Sequence, residues 1–168
     1  MKIIREERSK PLVVHTGRFT GRCPKDRYFV KTDCNNNKIE WGERNQDVSE
    51  KTFNKILHQI QEHLIQEINF SFKGNVIADS SNAYDIDFLT EERWYTQFAK
   101  NIFRNDRFIG LNKIIKIYHA PSFILKTNFE DIKNKNFVII HPDKKIILIG
   151  GTGYAGEIKK SVFSLLNI

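Results

Sequence analysis

Adjacent lysines at 159 and 160 follow a glycine-rich turn in the stretch KKIILIGGTGYAGEIKK, residues 144–160, and no other part of the chain holds as much chemistry. Ile146–Ile149 reads as a buried strand, the glycines as a turn, and the segment from Glu157 to Leu166 as a helix. Glycine lets backbone approach a ligand closely, and a helix N-terminus offers unpaired N–H groups to an anion. Ammonium groups beside such a turn suit an acidic substrate, a phosphate or a metal–anion assembly. Without the turn, the same lysine pair would read as a solvated helix face.

Residues 151–156 satisfy the dinucleotide fingerprint G-x-G-x-x-G between a strand and a helix. That fingerprint also needs a further strand and an acidic residue ~20 positions on, which falls past Ile168. A phosphate-binding P-loop fails too, because Glu157 stands where its lysine belongs. A second constellation, Thr16–Asp26, gathers Arg18, Arg22 and Lys25 on a loop containing Gly17, Gly21 and Pro24. An arginine fork on such a loop suits a carboxylate or phosphate through parallel hydrogen bonds. Spacing alone leaves an ordinary basic turn equally open. Cys23 sits among cations that favour a thiolate, but no histidine neighbours it in sequence, so a structural cysteine is the simpler reading. His58 and His63 lie five apart on one helix, and His15, His119 and His141 lie at strand edges; none carries a metal signature.

These residues need a scaffold of alternating strands and helices. Leu12–His15, Tyr28–Val30, Val76–Ala78, Ile86–Leu89, Ile114–Tyr118, Phe137–Ile140 and Ile146–Ile149 read as strands, the last two as a hairpin across 141–144. Cys34–Lys38 reads as a turn. Ser49–Ile68 is the clearest helix, with Phe53, Ile56, Leu57, Ile60, Leu64 and Ile68 at helical spacing and Ser49 or Thr52 as cap. Thr90 is read as the cap of a second helix over Glu91–Phe103, with Trp94, Phe98 and Phe103 toward the core. No internal repeat or linker divides the chain. The expected fold is α/β (α+β), a mixed β-sheet flanked by helices, in one unit spanning 1–168.

The net charge of +7 favours an anionic partner without choosing among nucleic acid, nucleotide, dicarboxylate and acidic protein. Because Lys and Arg are scattered among acidic residues, much of that charge reads as ordinary surface. No stretch approaches the ~18 apolar residues that span a bilayer. Residues 1–8 lack the apolar core of a signal peptide, and two cysteines are too few for a disulfide framework. Cytoplasmic residence is the expectation.

Taken together, the two glycine-containing segments resemble the ATP-dependent phosphoenolpyruvate carboxykinases. That family carries Thr-Gly-x-x-Thr-Gly-Arg-Ser-Pro-Lys-Asp-Lys and Gly-Gly-Thr-x-Tyr-x-Gly-Glu-x-Lys-Lys, which stand here as Thr16–Arg27 and Gly150–Lys160. Ile39–Gly42 with Asn45, Thr90-Glu91, Trp94, Phe98-Ala99, Asn101, Phe103, His119–Phe123 and Lys159–Phe163 are similar to family segments too.

The resemblance implies an N-terminal lobe facing a cleft shared with a nucleotide-binding C-terminal lobe. It implies conversion of oxaloacetate and ATP to phosphoenolpyruvate, CO2 and ADP, a gluconeogenic step. Arg22 would hold the substrate carboxylate and stabilise charge near the departing CO2, and Tyr154 would set its ring beside that carboxylate. Lys159 would contact substrate and the transferring phosphate. Lys160 would bind Mn²⁺ through a neutral amine, whose loss of a proton a divalent cation and a neighbouring ammonium both favour. Mg²⁺ would accompany the nucleotide.

The chain departs from the pattern at Cys23 for serine, Asp87 for a frequent arginine, Tyr95 for a frequent histidine and Arg93 for a small residue. The family's metal-binding histidine and aspartate and its true P-loop lie past Ile168. A lobe present as a fragment, a split-gene product or a remnant is therefore expected, inactive alone and open to a separately encoded C-terminal partner. The competing reading is a non-catalytic anion- or nucleic-acid-binding module; the lack of an aromatic-and-basic RNA-binding motif disfavours nucleic acid.

Overall fold

A seven-stranded mixed sheet in the order β2-β1-β6-β7-β5-β4-β3 forms the centre of the computed structural model, which describes residues 21–22, 25–67, 69–76, 83–104 and 113–168. The strand expected at 12–15, the loop residues 16–20, Cys23, Pro24, Ile77 and Ala78 fall outside them. In chain order the elements are β1 Arg27–Val30, β2 Gln46–Val48, α1 Glu50–Gln66, β3 Phe70–Val76 and β4 Tyr84–Thr90. There follow α2 Arg93–Ile102, β5 Ile114–Ala120, β6 Phe137–His141, β7 Ile146–Gly150 and α3 Gly156–Leu166.

Helix α1 forms where the periodic apolar stripe places it. The Ser49 hydroxyl accepts from the Thr52 N–H, and Asp131 accepts in turn from the Ser49 N–H and the Thr52 hydroxyl, both at 2.9 Å. Phe53, Ile56, Ile60 and Leu64 are completely buried against one face of the sheet, on Tyr28, Val30, Phe137, Ile139 and Leu148. Each such side chain contributes roughly 1.5–3 kcal/mol before the entropy of ordering it. On the opposite face α2 and α3 bring Tyr95, Ala99, Ile158, Val162 and Leu165 onto Phe88, Ile117, Val138, Ile140, Ile147 and Ile149. Alternate residues of β6 thus serve opposite cores, and all five are buried, as a central strand requires.

Three details differ from the sequence reading. Thr90 is the last residue of β4, in register with His119 of β5, and α2 begins at Arg93 without a side-chain cap. Parallel pairing carries the strand past the point where a cap was expected. Of the strand read at 76–78, the one described residue, Val76, is the last of β3, which begins at Phe70; Phe72 is buried while Ser71 and Lys73 are exposed. Within β3, Asn75 N–H donates to the Arg104 carbonyl at 2.9 Å and Arg104 returns the bond at 3.0 Å. The short β2 carries a single aliphatic residue, Val48, and gave no signal of its own.

The 141–144 hairpin is present, with β6 and β7 antiparallel. Its exit residue Lys145 has φ 55°, a left-handed conformation that costs a side-chain-bearing residue about 1–2 kcal/mol. Lys145→Gly should therefore raise stability by about 0.5–1 kcal/mol, read as a thermal midpoint about 1–4 °C higher. An unchanged or lower midpoint refutes the strain argument.

Candidate functional site

Strand direction decides where the two motifs meet. β1 runs parallel to β6, pairing Arg27 with Val138, and β6 runs antiparallel to β7, pairing Phe137 with Gly150. The entry to β1 and the exit from β7 therefore share one end of the sheet. β4 and β5 run parallel to β7 and end there too, with Thr90 beside His119 and Ala120 beside Gly150. Arg22, Asp26, Glu91, Ser122 and the glycine turn 150–156 are consequently gathered at that end.

At its centre lies a group of charged side chains. Glu157, in the first turn of α3 and 2% exposed, accepts from Lys160 Nζ at 2.9 and 3.2 Å. Arg27 bridges three elements: Nη1 donates to Ser164 Oγ on α3 at 3.1 Å, Nη2 to Asn45 Oδ1 at 2.7 Å, and Nε to the Arg44 carbonyl at 3.2 Å. Burial lowers its pKa, Glu157 opposes that shift and Arg22 adds to it. Asp26 is buried, accepts from Asn136 Nδ2 at 2.8 Å through Oδ2, and leaves Oδ1 without a partner. Its pKa rises to about 6 through burial first and Glu157 second, with Lys160 pulling the other way.

Arg22 itself is exposed. The two lysines part company. Lys160 faces Glu157, whereas Lys159 is exposed with Nζ 5.6 Å from the centre of the Phe163 ring. Tyr154 folds its ring over Gly156, where a Cβ would lie 2.7 Å from the ring. Gly151 has φ 72°, and a Cβ there would come within 2.8 Å of the Lys135 carbonyl, so this position admits glycine alone without a backbone shift. A largely apolar groove of about 600 Å³ opens beside Gly151, lined by Phe123, Leu125, Phe129 and Ile132 among others.

Sequence reasoning passed over several contributors. Asp26 and Glu157 stood in the quoted motifs, but nothing in their spacing marked them as buried neighbours. Beneath the glycine turn, Tyr95 donates its hydroxyl to the Gly153 carbonyl at 3.1 Å, and its ring edge meets His119 at 4.3 Å between centroids. His119 is wholly buried, pairs through Nδ1 with the Thr90 hydroxyl at 2.9 Å, and is held neutral by burial, which pushes its pKa down to about 3. Farther along the same end, His63 Nε2 meets both Glu91 Oε1 and Ser122 Oγ, at 2.5 and 3.2 Å, and the Ser122 N–H donates to Glu91 Oε2. A hydrolytic triad puts the acid and the serine on opposite ring nitrogens. Here they share one, so the trio is a clamp between α1 and the 121–123 loop.

Asp87, the charge-reversed position, stands in register between Lys73 and Lys116, so the reversal is locally compensated. Arg93 is exposed at the start of α2. Among the described residues no three His, Cys, Asp or Glu side chains gather as a metal site. Lys160, the residue assigned to Mn²⁺, has its amine engaged by Glu157. These residues do not by themselves fit a divalent cation. Among the described residues, no helix is long and apolar enough to cross a membrane.

The raised pKa of Asp26 sets a sign for pH dependence. Between about pH 4 and 6 the folded chain holds a proton that the unfolded chain has released, so this carboxyl erodes stability as pH rises through that window. Asp26→Asn should remove that component: the variant's midpoint, relative to the parent, should climb between pH 4 and 6 and stay constant above. A constant difference across the window would show that Asp26 titrates normally.

Comparison with known proteins bears on the same segments. The family model described as Phosphoenolpyruvate carboxykinase matches residues 4–168. Proteins named phosphoenolpyruvate carboxykinase (ATP) from Staphylococcus aureus strains Newman, JH1 and N315 are each 37% identical over 157 residues, covering 90% of this chain and 30% of the relative. The chain thus spans about 30% of the length of these relatives. With the family model covering nearly every residue and both motifs meeting at one end of the sheet, the chain belongs to the phosphoenolpyruvate carboxykinase family.

Proposed function

We propose that this chain forms the substrate-binding wall of an ATP-dependent carboxykinase, in which a complete two-lobed protein converts oxaloacetate and ATP to phosphoenolpyruvate, CO2 and ADP. One observation carries the reading: the entry to β1, which follows Arg22, and the exit from β7, which leads to Tyr154 and the lysine pair, lie at one end of the sheet, where Arg27 Nη1 reaches Ser164 of α3 at 3.1 Å. In this role Arg22 grips a carboxylate of oxaloacetate. Breaking the bond to the leaving CO2 places an electron pair on the enolate, whose oxygen takes the terminal phosphoryl group of ATP. Positive charge fixed at Arg22 and Lys159 offsets the negative charge that develops there. The Tyr154 ring, braced on Gly156, walls the carboxylate.

Mn²⁺, and the Mg²⁺ that accompanies the nucleotide, would be held chiefly by the nucleotide-binding lobe; Lys160 would contact the Mn²⁺ from this side only as a neutral amine released from Glu157. The isolated chain should therefore bind a small dianion but make no product. Calorimetric titration with oxalate, a stable analogue of the dicarboxylate, should show binding that weakens with salt. Arg22→Gln should weaken it by about tenfold or more, since hydrogen bonds to charged groups contribute about 1.5–3 kcal/mol. Absence of oxalate binding, or tighter binding of single-stranded RNA, would favour the non-catalytic module. Phosphoenolpyruvate formation by the isolated chain would overturn the two-lobe division of labour.

A further inference from the structure

The glycine turn is held from underneath, and the residue that holds it belongs to neither motif. Residues 150–156 include four glycines, and α3 starts at Gly156, with Ala155 at its N-cap position giving no side-chain cap. A segment of this composition has the most conformational freedom to lose and the least side-chain packing to hold it. Within the turn, Tyr154 N–H donates to Thr152 Oγ1 at 3.2 Å and Glu157 N–H to the Tyr154 carbonyl at 3.1 Å. From outside, the Gly151 N–H reaches the Ala120 carbonyl at 3.0 Å, and the Tyr95 hydroxyl reaches the Gly153 carbonyl at 3.1 Å.

Tyr95 is suited to the second tie because it is itself immobile. It is wholly buried on α2, with its ring edge on His119, and His119 is anchored by Thr90 at the end of β4. Burial, together with the nearby Glu92 and Glu91, raises the phenol pKa, so the hydroxyl remains a donor at any working pH. The chain of contacts from Thr90 through His119 and Tyr95 to Gly153 thus transfers the rigidity of the sheet to its most pliable loop.

We propose that Tyr95 is a positioning residue: its hydroxyl fixes the Gly153 carbonyl and thereby the placement of Tyr154 and the first turn of α3 toward the substrate. The role in substrate placement rests on the carboxykinase reading, whereas the tie to the turn does not. Tyr95→Phe separates the two, because it removes one oxygen and keeps the ring on His119. Amide hydrogen exchange on the 168-residue chain should then speed up at Tyr154 and Glu157 by about five- to tenfold, the equivalent of one lost hydrogen bond. The Phe53 and Ile56 amides of α1 should stay unchanged, and oxalate affinity should fall by a similar factor.

Unchanged exchange at the turn overturns the proposal. Faster exchange at α1 as well would make Tyr95 general core support and overturn it too. Should the parent chain bind no oxalate, the carboxykinase reading fails on its own, and the exchange comparison alone decides the tie. Thr90→Val offers a second variant, cutting the stack at its base without touching the turn; it should produce the same local pattern with smaller amplitude.

Discussion

One antiparallel step governs this molecule: β6 on β7, inside the sheet, whereas the other antiparallel pair, β3 on β4, lies at its edge. Had β6 and β7 been parallel, the entry to β1 and the exit from β7 would lie at opposite ends of the sheet. The pairing of Phe137 with Gly150 reverses that, so the loop carrying Arg22 and the turn carrying Tyr154 open on one side. The step is buried on both faces by apolar side chains, and a shift of one residue would send every Ile and Val of β6 into the wrong core. Register is therefore enforced by packing far from the site it creates.

What that register gathers is expensive to hold. Asp26 and Glu157 are buried carboxylates close enough for one to raise the pKa of the other, and Arg27 is partly desolvated beside them. Removing such charges from water costs several kcal/mol apiece, and apolar residues of similar size commonly serve stability better. The pattern is therefore poor as a stabilising device and effective as an electrostatic one. Arg27 joins β1, the 44–45 turn and α3 at one guanidinium, so the position of the helix is tied to the strand that follows the Arg22 loop.

Much of this was legible in the sequence, and the exceptions have physical reasons. Apolar runs such as Ile146–Ile149 and the stripe from Phe53 to Leu64 announced their elements because period and burial agree. β2 was silent because Gln46 and Asp47 hold their places by parallel pairing with β1 instead of by an apolar face. Thr90 read as a cap because a threonine before a helical pattern usually is one, yet parallel pairing with β5 kept it in the strand and gave its hydroxyl to His119. The candidate residues at 22, 154, 159 and 160 were readable from motif and resemblance. Their supports were not: Asn136 under Asp26, and Tyr95 under Gly153, are tertiary neighbours that local spacing cannot reveal.

The lysine pair shows how helix geometry divides a motif that looks redundant on paper. Successive residues on a helix point about 100° apart, so neighbours three and two positions beyond a buried Glu157 cannot both face it. Lys160 does, and breaking its bond would leave a buried carboxylate uncompensated. Lys159 is held by contact with the Phe163 ring, worth about 0.5–1 kcal/mol at an exposed site. A phosphate or carboxylate arriving at this end offers a charge-assisted bond of about 1.5–3 kcal/mol, enough to draw Lys159 off its ring but not to strip Lys160 from its partner. On the proposed carboxykinase reading, the first amine to respond to an incoming anion is therefore Lys159, while Lys160 stays with Glu157 until something that can replace a full carboxylate contact arrives.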